Sequence, residues 1–214
     1  PGALSPRATT SPTWPRFVKE EHGARRRWAG FFTKTPLKSN SEDSLRKMGQ
    51  SLVHRGPDDK GIWMDPTAGI GLAHQRLSVI DLSSEGRQPM ISASGRYVIA
   101  YNGEVYNFRE IRKELEALGH EFHSTTDTEV VLYAFAEWRE KSLSFFNGMF
   151  AFAVWDNKHR ELFLARDRYG IKPLYWSLKG NIFAFGSEIK AIFAHPDFDA
   201  EVDKKGLLKY FPFR

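Results

Sequence analysis

The sequence predicts an α+β domain with antiparallel sheet. Helical and strand-like segments are mixed along the chain, the C-terminal third is a meander of short strand-like runs, and two of its gaps carry hairpin-turn residues. Residues 1–27 read as a tail: they hold four prolines, several Ser and Thr, and the run Arg25-Arg26-Arg27, with no apolar periodicity. The folded part is expected to begin near Trp28, where Trp28-Ala29-Gly30-Phe31-Phe32 reads as a buried strand. Leu45, Met48 and Leu52 then recur at helical spacing behind the capping candidates Ser39, Asn40 and Ser41. His54 to Asp59 is a turn signal, with Gly56 and Pro57 as punctuation.

Gly69–Gln75 and Arg76–Leu82 are two short apolar runs expected as strands, and Tyr97–Tyr101 is a stronger one. Asn107 with Glu110 predicts a capping-box-like helix start. The helix behind it groups Phe108, Ile111, Leu115 and Leu118 on one face and stops at Gly119. Glu129–Trp138 is apolar nearly all round and predicts a buried helix. Strands are expected at Phe150–Trp155, Glu161–Arg166, Leu174–Ser177 and Ile182–Phe185, with turns at Asp156-Asn157-Lys158 and Lys179-Gly180-Asn181 and a closing helix at Glu188–Ala194.

The 214 residues suffice for one medium domain with a core. The net charge of +5 invites a nucleic-acid reading, but the tail of residues 1–27 carries six basic residues and only two acidic ones. The basic excess belongs to the tail, so the folded part is expected to bind no nucleic acid. No apolar run reaches the ~20 residues of a membrane helix, so no membrane association is expected. Cysteine is absent, which excludes disulfides, thiolate metal sites and cysteine nucleophiles within this sequence. A lone His74 in an apolar run is read as a core histidine, with no second ligand at metal-binding spacing.

Seven motifs follow in order: His54-Arg55-Gly56-Pro57-Asp58; Leu72 to Asp81 (LAHQRLSVID); Tyr101 to Asn107 (YNGEVYN); Thr126-Asp127-Thr128-Glu129; Phe146 to Phe152 (FNGMFAF); Ala165 to Leu174 (ARDRYGIKPL); and Phe185 to Ala191 (FGSEIKA). This series resembles the class II glutamine amidotransferase domain, in its asparagine synthetase branch, from about residue 28 to 205. The resemblance implies an N-terminal-nucleophile hydrolase fold, a four-layer αββα sandwich of two antiparallel sheets between helix layers. It leaves residues 206–214 as the start of a connection to an ATP-dependent synthetase domain. ATP and magnesium would belong to that domain, and no cofactor or metal is expected in this chain. A cytoplasmic location, a synthetase domain as partner and a homodimer are further expectations of the resemblance.

In such domains an N-terminal cysteine thiolate attacks the side-chain amide of glutamine, with its own α-amine as base. A thioester forms, ammonia leaves, and water releases glutamate. By resemblance, the Asn102 amide and the Gly103 N–H donate to the oxyanion; Asn-Gly after a strand, taken alone, reads as a hairpin turn, and the ordered motif series favours the oxyanion role. Arg76 holds the α-carboxylate, Asp127 assisted by Glu104 takes the α-ammonium, and the backbone of Leu77, Ser78, Val79 and Ile80 lines the site. The nucleophile is the departure. Where the family begins Met-Cys-Gly-Ile-Ala-Gly-Phe, this chain reads Arg25-Arg26-Arg27-Trp28-Ala29-Gly30-Phe31, which puts Arg26 at the cysteine's position. Arg26 and Trp28 are both large enough to fill the space for a glutamine side chain. The abrupt break implies that residues 1–27 are not the family's usual start. Two functions follow as expectations: the glutaminase domain of an asparagine synthetase-like enzyme, or a glutamine- or glutamate-binding module without a nucleophile.

Overall fold

The computed structural model describes residues 26–55, 59–76, 86–201 and 203–210. Most of the expected tail, the Gly56-Pro57-Asp58 turn and the expected strand beyond Arg76 lie outside the described residues.

Strand β1 (Arg26–Thr33) starts two residues ahead of the expected Trp28. After it come α1 (Ser41–Gln50), β2 (Asp59–Asp65), β3 (Ile70–Arg76), β4 (Met90–Ile91) and β5 (Tyr97–Val105). Next are α2 (Phe108–Ala117), α3 (Asp127–Trp138), β6 (Gly148–Asp156) and β7 (Glu161–Arg166). The chain then forms β8 (Tyr175–Lys179), β9 (Ile182–Gly186), α4 (Ile189–Phe193) and α5 (Lys204–Tyr210). α5 crosses the expected boundary near residue 205 as a helix.

The strands make a five-stranded sheet in the order β2-β3-β1-β9-β8 and a four-stranded sheet in the order β4-β5-β6-β7. All pairings are antiparallel. Alternation along the strands sorts the core into three apolar layers. Ala29, Phe31 and Ala184 pack with Leu45, Met48 and Ile192 between the five-stranded sheet and the helices α1 and α4. Trp28, Leu72, Ala100, Ala153, Trp155 and Phe185 fill the space between the sheets. Tyr101, Phe152 and Val154 meet Ile111, Leu115, Val131 and Phe135 between the four-stranded sheet and the helices α2 and α3. This is the αββα sandwich the motif series implies. β1 is apolar on both faces because both faces are covered.

Several local expectations are corrected. Asn107 sits at the N-cap of α2, but its side chain makes no cap bond. It donates instead to the Phe145 carbonyl (2.9 Å) and accepts from the Asn147 N–H (2.9 Å), tying α2 to the start of β6. Leu118 is exposed, because it follows the last turn of α2, where Gly119 (φ +95°) turns the chain away. Asn102 and Gly103 form no hairpin turn. They lie inside β5, opposite Ala151 and Phe150 of β6.

Candidate active site

The site is assembled at one end of the inter-sheet layer. Arg26 shares its face of β1 with Trp28, and alternation puts His74 and Arg76 on the same side of β3 as Leu72. Arg26 and Arg76 are direct register partners, as are Trp28 and His74. On β5, Asn102 follows Val98 and Ala100 on the face turned to the other sheet. A Cβ built on Gly86 would lie 3.2 Å from Arg76 Nη1 and 3.3 Å from the Thr126 methyl, so Arg76 is set against the start of α3.

Asp127 is the first residue of α3, and the Thr126 hydroxyl caps that helix by accepting from the Glu129 N–H. Both of its carboxylate oxygens are engaged. Oδ2 accepts from the Tyr101 hydroxyl at 2.7 Å and from the Val105 N–H at 3.2 Å. Oδ1 faces Arg26 Nη1 at 3.4 Å, and the same Nη1 donates to the Thr128 hydroxyl at 2.9 Å. Arg26 therefore lies folded across the site against the acid, with its guanidinium 5.9 Å from the centre of the Tyr101 ring. Burial, and then the charge of Asp127, push the Tyr101 phenol well above its ordinary pKa.

Asn102 is 1% exposed, and neither its Nδ2 nor its Oδ1 has a hydrogen-bond partner. Gly103 beside it has no room for a side chain: a Cβ would come within 2.5 Å of the Met149 carbonyl oxygen and 2.7 Å of the Phe150 Cα. Phe150 exchanges bonds with Asp167 on the far side of β6, so the Gly103 N–H points away from β6. On that outer edge the neighbouring N–H of Tyr101 is taken by Gln88 Oε1 (2.6 Å) and that of Val105 by Asp127. A carboxamide donor and a backbone N–H are thus adjacent in sequence at the end of the inter-sheet layer. Such a pair can stabilise a developing oxyanion.

Glu104, by alternation, is on the Asn102 side of β5 and is partly buried. Leu77, Ser78, Val79 and Ile80 lie outside the described residues. Trp28 is fully buried between the sheets, where its Nε1 donates at 3.1 Å to the carbonyl of Ala151, the β6 partner of Asn102. A cleft of about 590 Å³ lies at the other end of β1, lined by Thr33, Lys38, Ser41 and His195 among others. It contains none of the residues above and gathers no comparable chemistry.

The model of the glutamine amidotransferase domain family matches residues 29–214. The chain belongs to that family. It is 48% identical over 172 residues to asparagine synthetase [glutamine-hydrolyzing] 3 of Bacillus subtilis (strain 168), covering 79% of this chain and 28% of that protein. Asparagine synthetase [glutamine-hydrolyzing] 1 of the same organism is 40% identical over 189 residues, or 87% of this chain and 29% of the relative. The chain thus spans less than a third of the length of these relatives. Among solved structures, the glutamine phosphoribosylpyrophosphate amidotransferase of B. subtilis, complexed with ADP and GMP, superposes with a TM-score of 0.65. At 20% identity over 78% of this chain and 43% of that one, it shares the fold.

Within and beside those motifs, the structure engages residues for which the resemblance implied no role. Tyr101 and Thr128 complete the surroundings of Asp127 and Arg26. Arg27 donates to Glu188 Oε1 (3.3 Å) and to the Arg26 carbonyl (2.8 Å), holding the end of β1 to the segment before α4. Lys172 has its pKa lowered, first by burial and then by the charge of Arg27, while Glu104 and Asp167 pull the other way. Its loop is fixed by Asp167, which accepts from the N–H groups of Ile171 and Lys172. His74 is the buried histidine its apolar setting suggests. Burial and the nearby Arg26 charge lower its pKa to about 3, so it is neutral at ordinary pH. Among the described residues no group of three metal-ligating side chains comes together.

Proposed function

We propose that this domain is built to hold glutamine for the supply of ammonia to asparagine formation, and that this polypeptide does not itself cleave the amide. Arg76 anchors the α-carboxylate, Asp127 with Glu104 is the seat for the α-ammonium, and Asn102 with Gly103 receives the side-chain oxygen. The observation that carries the reading is the Asn102 amide. A buried carboxamide without partners costs about 1–3 kcal/mol, a cost that a donor kept for a ligand oxygen accounts for. An unpaired buried polar group calls for an explanation, and a catalytic role is one of the recognised ones. The relatives named above, asparagine synthetases by name, support the destination of the ammonia. ATP and magnesium are assigned to the synthetase half of such proteins, in the length that this chain does not span.

Hydrolysis fails at the first step. A guanidinium stays protonated and offers no electron pair for attack on the amide carbon, so no thioester forms at Arg26. The oxyanion donors alone leave only a small rate over water. The test is to assay glutamate and ammonia after incubating the 214-residue chain with glutamine. No turnover is expected, and a rate of ~1 s⁻¹ or more, ordinary for an enzyme, would overturn the reading. A second chain begins at position 26 and carries Arg26→Cys and Arg27→Gly, with the core residue Trp28 kept. It is expected to hydrolyse glutamine. A folded but inert product would refute the assigned framework.

A further inference from the structure

The seat for a ligand ammonium is already taken. Asp127 Oδ1 pairs with Arg26, and Oδ2 is held by Tyr101 and Val105. An α-amino acid entering the site finds both oxygens of Asp127 engaged and meets a second cation beside Arg76. Two buried donors in the same layer, Arg26 Nε and Asn102 Nδ2, have no partner within the protein. Unpaired buried donors call for acceptor atoms. Guanidinium N–H groups are matched best by carboxylate oxygens. The ligand these two donors describe brings carboxylate oxygens.

We propose that Arg26 plays the part of the ligand's own ammonium, so that this chain takes a short dicarboxylate without an α-amino group, of the glutarate class, in preference to glutamate or glutamine. The inference rests on the amino-acid site proposed above, which supplies Arg76 as anchor for one carboxylate and sets the five-carbon length. The other carboxylate meets Arg26 Nε and Asn102. Glutamate differs from glutarate by the ammonium alone, and that group must either displace Arg26 from Asp127 or sit beside a like charge, which is unfavourable at short range.

The test is calorimetry on the 214-residue chain with glutarate, glutamate and glutamine in turn. Glutarate is expected to bind at least ~10-fold more tightly than either amino acid, a difference of about 1.4 kcal/mol. Arg26→Ala frees Asp127 and is expected to reverse the order, with glutamate preferred. Arg26→Gln, which keeps length and polarity without the charge, should do the same and serves if the alanine variant unfolds. Glutamate binding as tightly as glutarate to the unaltered chain overturns the proposal. So does an unchanged preference in a folded variant, or no glutarate binding at ~10 mM, where even a weak millimolar site would be occupied. The two readings fail separately. If the Cys-initiated chain hydrolyses glutamine while the unaltered chain ignores glutarate, only the dicarboxylate inference falls. If glutarate binds and Arg26→Ala reverses the preference while the Cys-initiated chain stays inert, only the hydrolase framework falls.

Discussion

Acidification from pH 7.5 to 4.5 is expected to destabilise this fold through His74. In the unfolded chain the imidazole takes up a proton as pH falls through about 6.5. In the folded chain it stays neutral down to about 3, because it is buried and faces Arg26 and Arg76. Between those two values the unfolded state binds the extra proton. Stability is therefore complete above pH 6.5 and is lost progressively below it. Each pH unit inside the window costs about 1.4 kcal/mol, and integrating from 7.5 to 4.5 gives about 2.7 kcal/mol. A folded-state value anywhere below ~4 changes that sum little. Against a typical total of ~5–15 kcal/mol, the loss is large enough to measure. Urea unfolding followed by tryptophan fluorescence at the two pH values, on the unaltered chain and on His74→Gln, isolates the effect. His195, also lowered by burial, acts in the same direction but is common to both chains. The variant should lose about 2.7 kcal/mol less than the parent over this range. Equal losses in the two chains would refute the burial argument.

Gly103→Ala should lower stability by about 2–3 kcal/mol in the same unfolding assay, because its Cβ meets the β6 backbone at Met149 and Phe150. A loss below ~0.5 kcal/mol, the size of an ordinary surface substitution, would show that the two strands give way. Asn102→Leu removes an unpaired buried amide and should raise stability by about 1 kcal/mol or more, while removing the proposed oxyanion donor. A destabilised variant would show that the amide is satisfied within the fold.

Periodicity made much of the fold legible. β1, α1, α3 and the C-terminal meander fall where apolar spacing puts them, within a residue or two at each end, while β5 starts at the expected Tyr97 but runs four residues past Tyr101 to Val105. β2 and β4 escaped notice because one follows a turn-rich stretch and the other is two residues long. Asn107 shows the limit of a local rule. Its side chain satisfies Phe145 and Asn147, almost forty residues away, and a capping pattern cannot report that competitor. The motif register brought Arg26 to the nucleophile position, and the structure brings it to the same end of the inter-sheet layer as Asn102. What one-dimensional reasoning could not supply was depth. Arg26 and Trp28 share a face, yet Trp28 belongs to the closed core between the sheets and Arg26 to the end of that layer. Nor could it show that a cation and an acid 101 residues apart would pair.

The way Asp127 is mounted decides which half of the ion pair can yield. It opens a helix whose residues 128 to 135 are all buried, and a tyrosine hydroxyl and a strand amide pin its carboxylate to β5. Shifting that acid means moving a helix through close-packed core, which is slow and costly. The opposite half hangs from the first residue of a strand by rotatable methylenes. Exchange of partners at the acid is then a matter of side-chain rotamers, with both sheets left intact. In kinetic terms the seat behaves as a fixed electrode and the arginine as a hinged contact. Opening the acid then asks only that Arg26 leave Asp127 and Thr128, with the backbone of both sheets in place.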